Sequence, residues 1–422
     1  MQTQLAPEFQ GTPDGTEAEA ILRKCVHCGF CTATCPTYQL LGDELDGPRG
    51  RIYLMKQVLE GAPVTRSTQL HLDRCLTCRN CETTCPSGVQ YGHLLEIGRG
   101  IVDRRVARPA SERALHAVLR AGLTSPLFGP AMKLGQLVRP LLPAALKDKL
   151  PARAGAAAHR WPTREHARKV LLLLGCVQPA MMPNINSATA RVLDAAGIQT
   201  LVADGAGCCG AIRSHLGDAD GGRDDMRRNI DAWWPLVEGL TAQGTVEAIV
   251  MNASGCGVTV KEYGHALAAD PAYADKARRV AALTKDLSEL LPDLVPALQP
   301  RLQGVVREPL VFHPPCTLQH GQQLHGGVEQ GLRALGFEVR LAASESHLCC
   351  GSAGTYSVLQ PVLATALRDR KLAQLIPQDG DANPPTAIVS ANVGCIQHLQ
   401  SGTPLPVRHW VEVVDAALHG TT

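Results

Sequence analysis

The chain has 422 residues, enough for about three domains at roughly 150 residues each, so it is not a small scaffold that depends on staples. Its 41 Lys and Arg nearly cancel its 39 Asp and Glu, and only 4% of its residues are aromatic, which argues against nucleic acid as a partner. The distinctive number is 16 cysteines.

The opening segment, MQTQLAPEFQGTPDG, has neither a cationic start nor an apolar run, so a secretory signal is not expected and disulfides become the minor reading of the cysteines. Residues 1–104 form the first expected domain. Within it Cys25, Cys28, Cys31 and Cys35 recur 50 positions later as Cys75, Cys78, Cys81 and Cys85, and Pro36 recurs as Pro86, an internal repeat of one unit. Between the two runs, DGPRGRIYLMKQVLEG (46–61) predicts a glycine-proline turn into a helix. Arg49 and Arg51 there either meet a partner's acidic surface, offset the charge of a nearby metal group, or are solvated cations with Gly50 serving the turn. Residues 105–168, rich in Ala, Arg, Leu and Pro, are expected to be short helices and a linker, least ordered over 151–162.

The remaining eight cysteines repeat at a longer period: Cys176 maps to Cys316, Cys208 and Cys209 to Cys349 and Cys350, and Cys256 to Cys395. Two homologous α/β domains are therefore expected, 169–300 and 301–422. Each opens with an apolar strand, VLLLLGC (170–176) or PLVFHPPC (309–316), followed by a helix, a glycine stop and a strand, as in VLDAAGIQTLV (192–202) and GLRALGFEVRL (331–341). The Cys-Cys-Gly follows, and then a helix and the strands AIVMNASGC and AIVSANVGC. Apolar strands alternating with helices imply short parallel sheets covered on both faces, with the cysteines at or past the strand ends. The expected fold class is thus a multidomain α+β chain: a mostly helical N-terminal domain that carries the two cysteine runs, followed by two homologous α/β Cys-Cys-Gly domains with short parallel sheets. The apolar stretch Val170–Val177 is far short of the about 20 residues that cross a bilayer, so membrane association is expected to be peripheral or through a partner.

CVHCGFCTATCP and CLTCRNCETTCP are both C-x2-C-x2-C-x3-C-P, the run of two-cluster ferredoxins. Three closely spaced thiolates wrap one face of a cubane while the fourth, carried away on a helix, reaches the other cluster. One 4Fe-4S cluster is then assigned to Cys25, Cys28, Cys31 and Cys85, and the other to Cys75, Cys78, Cys81 and Cys35. Zinc is the competing occupant, but its four-cysteine sites pair two C-x2-C knuckles and leave the third close cysteine without a role. Each bound cluster with its thiolates adds roughly two negative charges, which makes the folded chain mildly acidic.

Gly210 and Gly351 allow a tight turn that presents both sulfurs of each Cys-Cys pair, so Cys176, Cys208, Cys209 and Cys256, and likewise Cys316, Cys349, Cys350 and Cys395, are candidate ligands of a further cluster. GAGCCG (205–210) also matches G-x-G-x-x-G, but SHLCCG (346–351) retains only the last glycine, so the repeat preserves cysteines and not a phosphate loop. His313 and His320 flank Cys316, and His215 follows the first Cys-Cys-Gly; ligand, proton carrier and ordinary hydrogen-bonded side chain are the three readings. No Ser-His-Asp order, H-E-x-x-H or Walker loop accompanies them.

Two ferredoxin runs with GPRGRI between them, then paired Cys-Cys-Gly domains, resemble the iron-sulfur subunits of the glycolate oxidase (glycolate dehydrogenase) family. CTATCPTYQLLGDELDGPRGRI and CLTCRNCETTCPSGVQYGHLLE favour that branch over the related iron-sulfur subunits of anaerobic glycerol-3-phosphate dehydrogenase, lactate-utilisation proteins and heterodisulfide reductase subunits. The resemblance implies two FAD-domain partner subunits, one of which oxidises glycolate to glyoxylate, and D-lactate to pyruvate as well. FAD is expected on those partners only. Single electrons would pass through this chain to a quinone or other acceptor, from a cytoplasmic position on the inner face of the bacterial inner membrane. No catalytic residue is assigned to the chain itself. It departs from heterodisulfide reductase relatives at Ala253 and Asn392, which stand where a C-x-x-C partner of Cys256 and Cys395 is expected. That departure counts against the alternative in which the Cys-Cys-Gly domains reduce thiols or disulfides. A zinc-bound scaffold without redox function is the other alternative.

Overall fold

The computed structural model describes residues 1–141, 151, 155–305, 307–376 and 383–420. Its N-terminal part is helical: α1 (Pro13–Lys24), α2 (Phe30–Ala33), α3 (Pro36–Leu41), α4 (Pro48–Leu59), α5 (Arg66–Asp73), α6 (Asn80–Thr83) and α7 (Tyr91–Arg105). Pro36 and Pro48 open α3 and α4, where a missing N–H costs nothing. Pro86 instead starts a turn, so the 50-residue repeat is not carried into a second copy of α3. Ile21, Leu22, Ile52, Met55, Leu59, Leu94 and Ile101 form the core. Gly50 does not serve a turn: it lies in the first turn of α4, where a Cβ would stand 2.1 Å from the Glu44 carbonyl oxygen, so its role is to make room.

Two longer helices, α8 (Ala110–Thr124) and α9 (Phe128–Val138), occupy the expected linker, and α8 buries none of its residues. The stretch expected to be least ordered, 151–162, lies partly outside the described residues; its described part holds a 3-10 turn, Ala156–His159.

The C-terminal part contains two four-stranded sheets. The first comprises β1 (Arg168–Leu172), β2 (Ile198–Leu201), β3 (Ala248–Met251) and β4 (Thr284–Asp286), ordered β2-β1-β3-β4. The second comprises β5 (Leu310–His313), β6 (Val339–Leu341), β7 (Ala387–Ser390) and β8 (Val407–His409), ordered β6-β5-β7-β8. All pairings are parallel. The period-2 geometry of β1 sends Val170 and Leu172 into one core and Leu171 into another, so both faces are covered. The glycine stops after helices Pro183–Ala195 and Gly327–Ala334 are left-handed, with φ +80° at Gly197 and +86° at Gly336.

The edge strands β4 and β8 were not foreseen. Each runs into a capping box: Glu289 accepts from the Asp286 N–H at 2.7 Å and Glu412 from the His409 N–H at 3.0 Å. The two halves also share one apolar core, in which Val170 and Leu172 of one sheet join Leu310 and Phe312 of the other through Leu294, Leu298 and Leu302.

The turns after the cysteine pairs have no room for a side chain. Gly210 (φ +96°) and Gly351 (φ +90°) are left-handed, and a Cβ would stand 2.7 Å from the Gly222 carbonyl oxygen and 2.5 Å from that of Ala364. Gly351→Ala is therefore expected to destabilise the chain by at least the about 1–2 kcal/mol of the backbone conformation alone, read as a lowered urea midpoint. An unchanged midpoint would contradict this account of the turn.

Candidate metal centres

The two cysteine runs fold into equivalent loops. His27 and Thr77 have φ of +56° and +53°, and Gly29 and Arg79 have φ of +85° and +58°, so each loop reverses twice and turns its thiols inward. Three non-glycine residues held in the left-handed region carry strain that the surroundings must hold in place. Cys31 and Cys81 lie on the one-turn helices α2 and α6, while Cys35 caps α3 and Cys85 follows α6, so neither fourth cysteine is itself carried on a helix.

A cavity of about 440 Å3 is lined by Cys25, Cys28, Cys31 and Cys85, with Cys81 on its wall. A second, of about 300 Å3, is lined by Cys35, Cys75, Cys78 and Cys81. The first opens outward: Cys28 is exposed, and Val26 and Phe30 beside it are 68% and 61% exposed. The second is interior, with all four of its cysteines buried. Burial and neighbouring thiols push Cys78 and Cys81 well above the usual thiol range, so without a metal these sulfurs are neutral. Donors already face Cys75 beside them: the Thr77 N–H reaches its Sγ at 3.4 Å and the Tyr91 hydroxyl reaches it at 3.6 Å. Four soft thiols per cavity, inward-turned loops and donors aimed at sulfur fit a 4Fe-4S group.

Arg51 is not a solvated cation. It is 1% exposed and donates to the His71 carbonyl (2.7 Å), Thr37 Oγ1 (3.1 Å) and Asp46 Oδ1 (3.4 Å). Thr37 Oγ1 lies 3.3 Å from Cys35 Sγ. Burial opposes the charge of Arg51, but Cys75, Tyr91, Cys35 and Asp46 outweigh it and raise its affinity for the proton. Arg49, by contrast, is partly exposed and pairs with Glu44 at 2.6 Å.

The Cys75–Cys81 loop is clamped by both C-terminal halves. On one side Arg79 pairs with Glu262, and His93 sits between Glu262 (3.5 Å) and Glu17 (3.2 Å) while stacking on His265 with ring centroids 4.0 Å apart. Burial works to raise Glu262, but hydrogen bonds from His93 and Arg79 hold it at about 2. The hydrogen bond to Glu262 raises His93 against its own desolvation and the charge of Arg79. A raised histidine contributes stability below pH about 6.5 that is lost as pH rises through its folded-state value. The stability difference between wild type and His93→Gln is therefore expected to be larger at pH 6 than at pH 8.5. A difference independent of pH would contradict the clamp. On the other side, the Tyr356 hydroxyl donates to the Arg74 carbonyl at 3.0 Å and Asn80 donates to the His347 carbonyl at 3.2 Å.

In the first half Cys176, Cys208, Cys209 and Cys256 come together: Cys208 is held low by bonds from Cys176, Cys209 and the Gly210 N–H, while Cys176 and Cys209 are pushed up. The G-x-G-x-x-G reading fails here, because the Gly207 N–H is taken by Asn229 Oδ1 at 2.8 Å and is not free for a phosphate. In the second half Cys316 Sγ and Cys349 Sγ are 3.7 Å apart, and Cys316, Cys349, Cys350 and Cys395 are all buried. Cys316 and Cys349 share an apolar cluster with Leu76 and Cys78, so this half abuts the interior cavity. Asn392, which stands where a C-x-x-C partner is missing, places Nδ2 3.7 Å from Cys395 Sγ. His320 is an ordinary bonded side chain, between Thr83 Oγ1 (3.1 Å) and the His347 carbonyl (2.8 Å), and His215 ends helix Ala211–His215. Sequence reasoning missed the buried Asp46 and His71 around Arg51, the Arg79–Glu262 pair and the buried Lys371; no local signal marks charged residues that only tertiary packing buries.

Comparison with known proteins agrees with this layout. Residues 21–89 match the 4Fe-4S dicluster domain, and residues 170–261 and 310–400 match the cysteine-rich domain. The chain is 54% identical over 99% of both lengths to the glycolate oxidase iron-sulfur subunit of Escherichia coli (strain K12). It is 30% identical, over 94% of this chain and 92% of the relative, to the probable glycolate oxidase iron-sulfur subunit of Bacillus subtilis (strain 168). Lactate utilization protein A of Bacillus licheniformis is 24% identical over 59% of this chain but 99% of its own length. With paired cysteine cavities in front of two sheet domains, and with similarity that runs the full length, the chain belongs to the family of glycolate oxidase iron-sulfur subunits.

Proposed function

We propose that this chain is the electron-carrying subunit of a flavin-dependent glycolate oxidase complex, which passes single electrons from FAD on partner subunits to a quinone or other acceptor. The observation that carries the reading is the tandem of cavities, each lined by at least four cysteines drawn from both runs, one open to the surface and one interior. Cys25, Cys28, Cys31 and Cys85 would hold one cluster, and Cys75, Cys78, Cys81 and Cys35 the other. A 4Fe-4S cluster takes up and releases one electron at a time, which is what splitting a two-electron flavin oxidation requires. The chain's residues supply the rest. Val26 and Phe30 offer an apolar rim for a partner at the outer cavity, Thr77 and Tyr91 direct donors at Cys75, and Arg51 puts positive charge beside Cys35 and Cys75. The second cysteine-rich half would hold a further cluster through Cys316, Cys349, Cys350 and Cys395, next to Cys78. The test is acceptor-linked glycolate oxidation by the flavin subunits with and without this chain. It is expected only with the chain, and full activity without it would contradict the reading.

No described helix is long and apolar enough to cross a membrane. We propose peripheral attachment to anionic lipid on the inner face of the inner membrane through α9 and the turn before it. Leu127, Leu134 and Leu137 are exposed there at 72%, 63% and 65%, and Leu141, in the 3-10 turn that follows, at 86%. From Arg113 to Leu141 the sequence has four cations and no Asp or Glu, the pattern of an interfacial helix. The full chain is expected to float with phosphatidylglycerol vesicles and not with phosphatidylcholine ones, and Leu134→Asp with Leu137→Asp should abolish flotation. Loss of flavin-subunit binding with flotation intact would assign this face to a protein partner instead.

A further inference from the structure

The repeat that relates the two C-terminal halves makes a position-by-position comparison informative. His313, the last residue of β5, corresponds to Leu173 after β1, at the same offset that relates Cys316 to Cys176. Leu173 is a buried residue of an apolar core. His313 is as buried, at 1% exposure, yet neither of its ring nitrogens has a hydrogen-bond partner. An imidazole in that condition loses its water contacts and gains nothing in return, which opposes folding. Folding tolerates this where something else satisfies the nitrogen.

The neighbours of the ring show what that is. A ring nitrogen of His313 and the sulfurs of Cys350 and Cys395 all lie within 4.8 Å of one another, the spacing of donors around a metal. Among the described residues no such histidine-containing group occurs at the cysteines of the first half. A second exchange accompanies the first. Lys371 corresponds to the fully buried Ile230, by the offset that relates Cys349 to Cys208, and it too is buried, at 2% exposure. It donates to the carbonyls of Glu345 and Ser346, in the segment that leads into Cys349. The thiols of Cys350, Cys349 and Cys316 lie within reach of its charge. Two apolar core positions of one half are thus an imidazole and an ammonium in the other, the imidazole against the thiols of Cys350 and Cys395 and the ammonium on the backbone that leads into Cys349.

We propose that His313 is a nitrogen ligand of the iron-sulfur cluster held by the second cysteine-rich half, which gives that half mixed imidazole and thiolate ligation while the first half offers thiols alone. The inference rests on the proposal that the second half holds a cluster. A cubane offers one terminal position on each of its four irons, so His313 takes the place of one of the four thiolates of this half. Replacing thiolate by neutral imidazole removes negative charge from a cluster and raises its potential, and Lys371 acts in the same direction. The cluster of the second half is then a ready electron acceptor, and that half is the one that shares a wall with Cys78.

The test uses the full chain, prepared anaerobically with 15N-histidine or natural histidine, with iron analysis, redox titration and pulsed EPR of the reduced protein. The proposal expects about twelve irons, four per cluster, and one cluster signal whose nitrogen coupling changes with the histidine isotope. His313→Leu, which installs the residue of the first half, should abolish that coupling and leave the other cluster signals unchanged. His313→Cys should lower the midpoint potential of the same cluster. About twelve irons without an isotope-sensitive coupling, or a coupling that persists in His313→Leu, would overturn the ligand assignment and leave the cluster. About eight irons in the wild type would remove the cluster and the assignment together. The isotope comparison on wild-type protein decides the matter even if a variant does not fold.

Discussion

Cys78→Ser is expected to remove about four irons per chain and to abolish acceptor-linked glycolate oxidation by the complex, a loss greater than the about 10–100-fold that follows removal of an outer partner of a metal ligand. The expectation rests on where Cys78 lies. It is buried, lines the interior cavity with Cys35, Cys75 and Cys81, and shares an apolar cluster with Cys316 and Cys349. A serine hydroxyl is a hard, poorly ionised donor that does not replace a thiolate on iron. Cys28→Ser makes a useful contrast, because Cys28 lies exposed at the mouth of the outer cavity. It should also remove about four irons, but with little effect on the packing between the N-terminal helices and the second sheet. Flavin reduction by glycolate should survive both changes, since the proposed function assigns that chemistry to other subunits. Retention of iron and acceptor-linked activity in Cys78→Ser would contradict the assignment.

The second large effect is on stability. Arg51→Met should destabilise the chain by about 3–5 kcal/mol, the cost of breaking a buried ion pair from one side. Asp46 is fully buried and is held by Arg51, by His71 Nδ1 at 3.1 Å and by Arg74 at 2.8 Å. Removing Arg51 also leaves the His71 carbonyl and Thr37 Oγ1 without their donor. Arg51→Lys should recover only part of the loss, because one ammonium does not span three acceptors that a guanidinium reaches in a plane. Urea denaturation of anaerobic protein with matched iron content measures this, and a change below about 1 kcal/mol would place the pair in the class of surface bridges.

Much of the architecture is legible in the amino-acid sequence because chemistry and packing impose short-range patterns. The spacing of Cys25 to Cys35 and of Cys75 to Cys85 is set by a loop that must turn three sulfurs inward, and the left-handed residues His27, Gly29, Thr77 and Arg79 fall at equivalent places in it. The apolar runs at 170–173 and 310–312 announce buried parallel strands, and Gly210 and Gly351 announce turns without room for a Cβ. The edge strands β4 and β8 escape notice because Thr-Lys-Asp and Val-Arg-His are too short and polar to carry a periodic signal. Asp46, His71 and Lys371 are the more instructive failures. Each belongs to a type that usually faces water or finds a local partner, and each is buried by residues far away in the chain. Gly50 was misread for the same reason, since the Glu44 carbonyl that excludes its side chain is visible only once α4 has packed.

The central claim is that the N-terminal helices hold two 4Fe-4S clusters through cysteines exchanged between the runs. Iron and acid-labile sulfide quantified per chain in anaerobically purified wild type, Cys35→Ser and Cys85→Ser, with EPR of the reduced proteins, test it most directly. Exchange predicts that Cys35→Ser alters the signal also lost in Cys78→Ser, and that Cys85→Ser alters the one lost in Cys28→Ser. Each fourth cysteine acting on the cluster of its own run, or a colourless protein holding zinc in place of iron, would contradict the account.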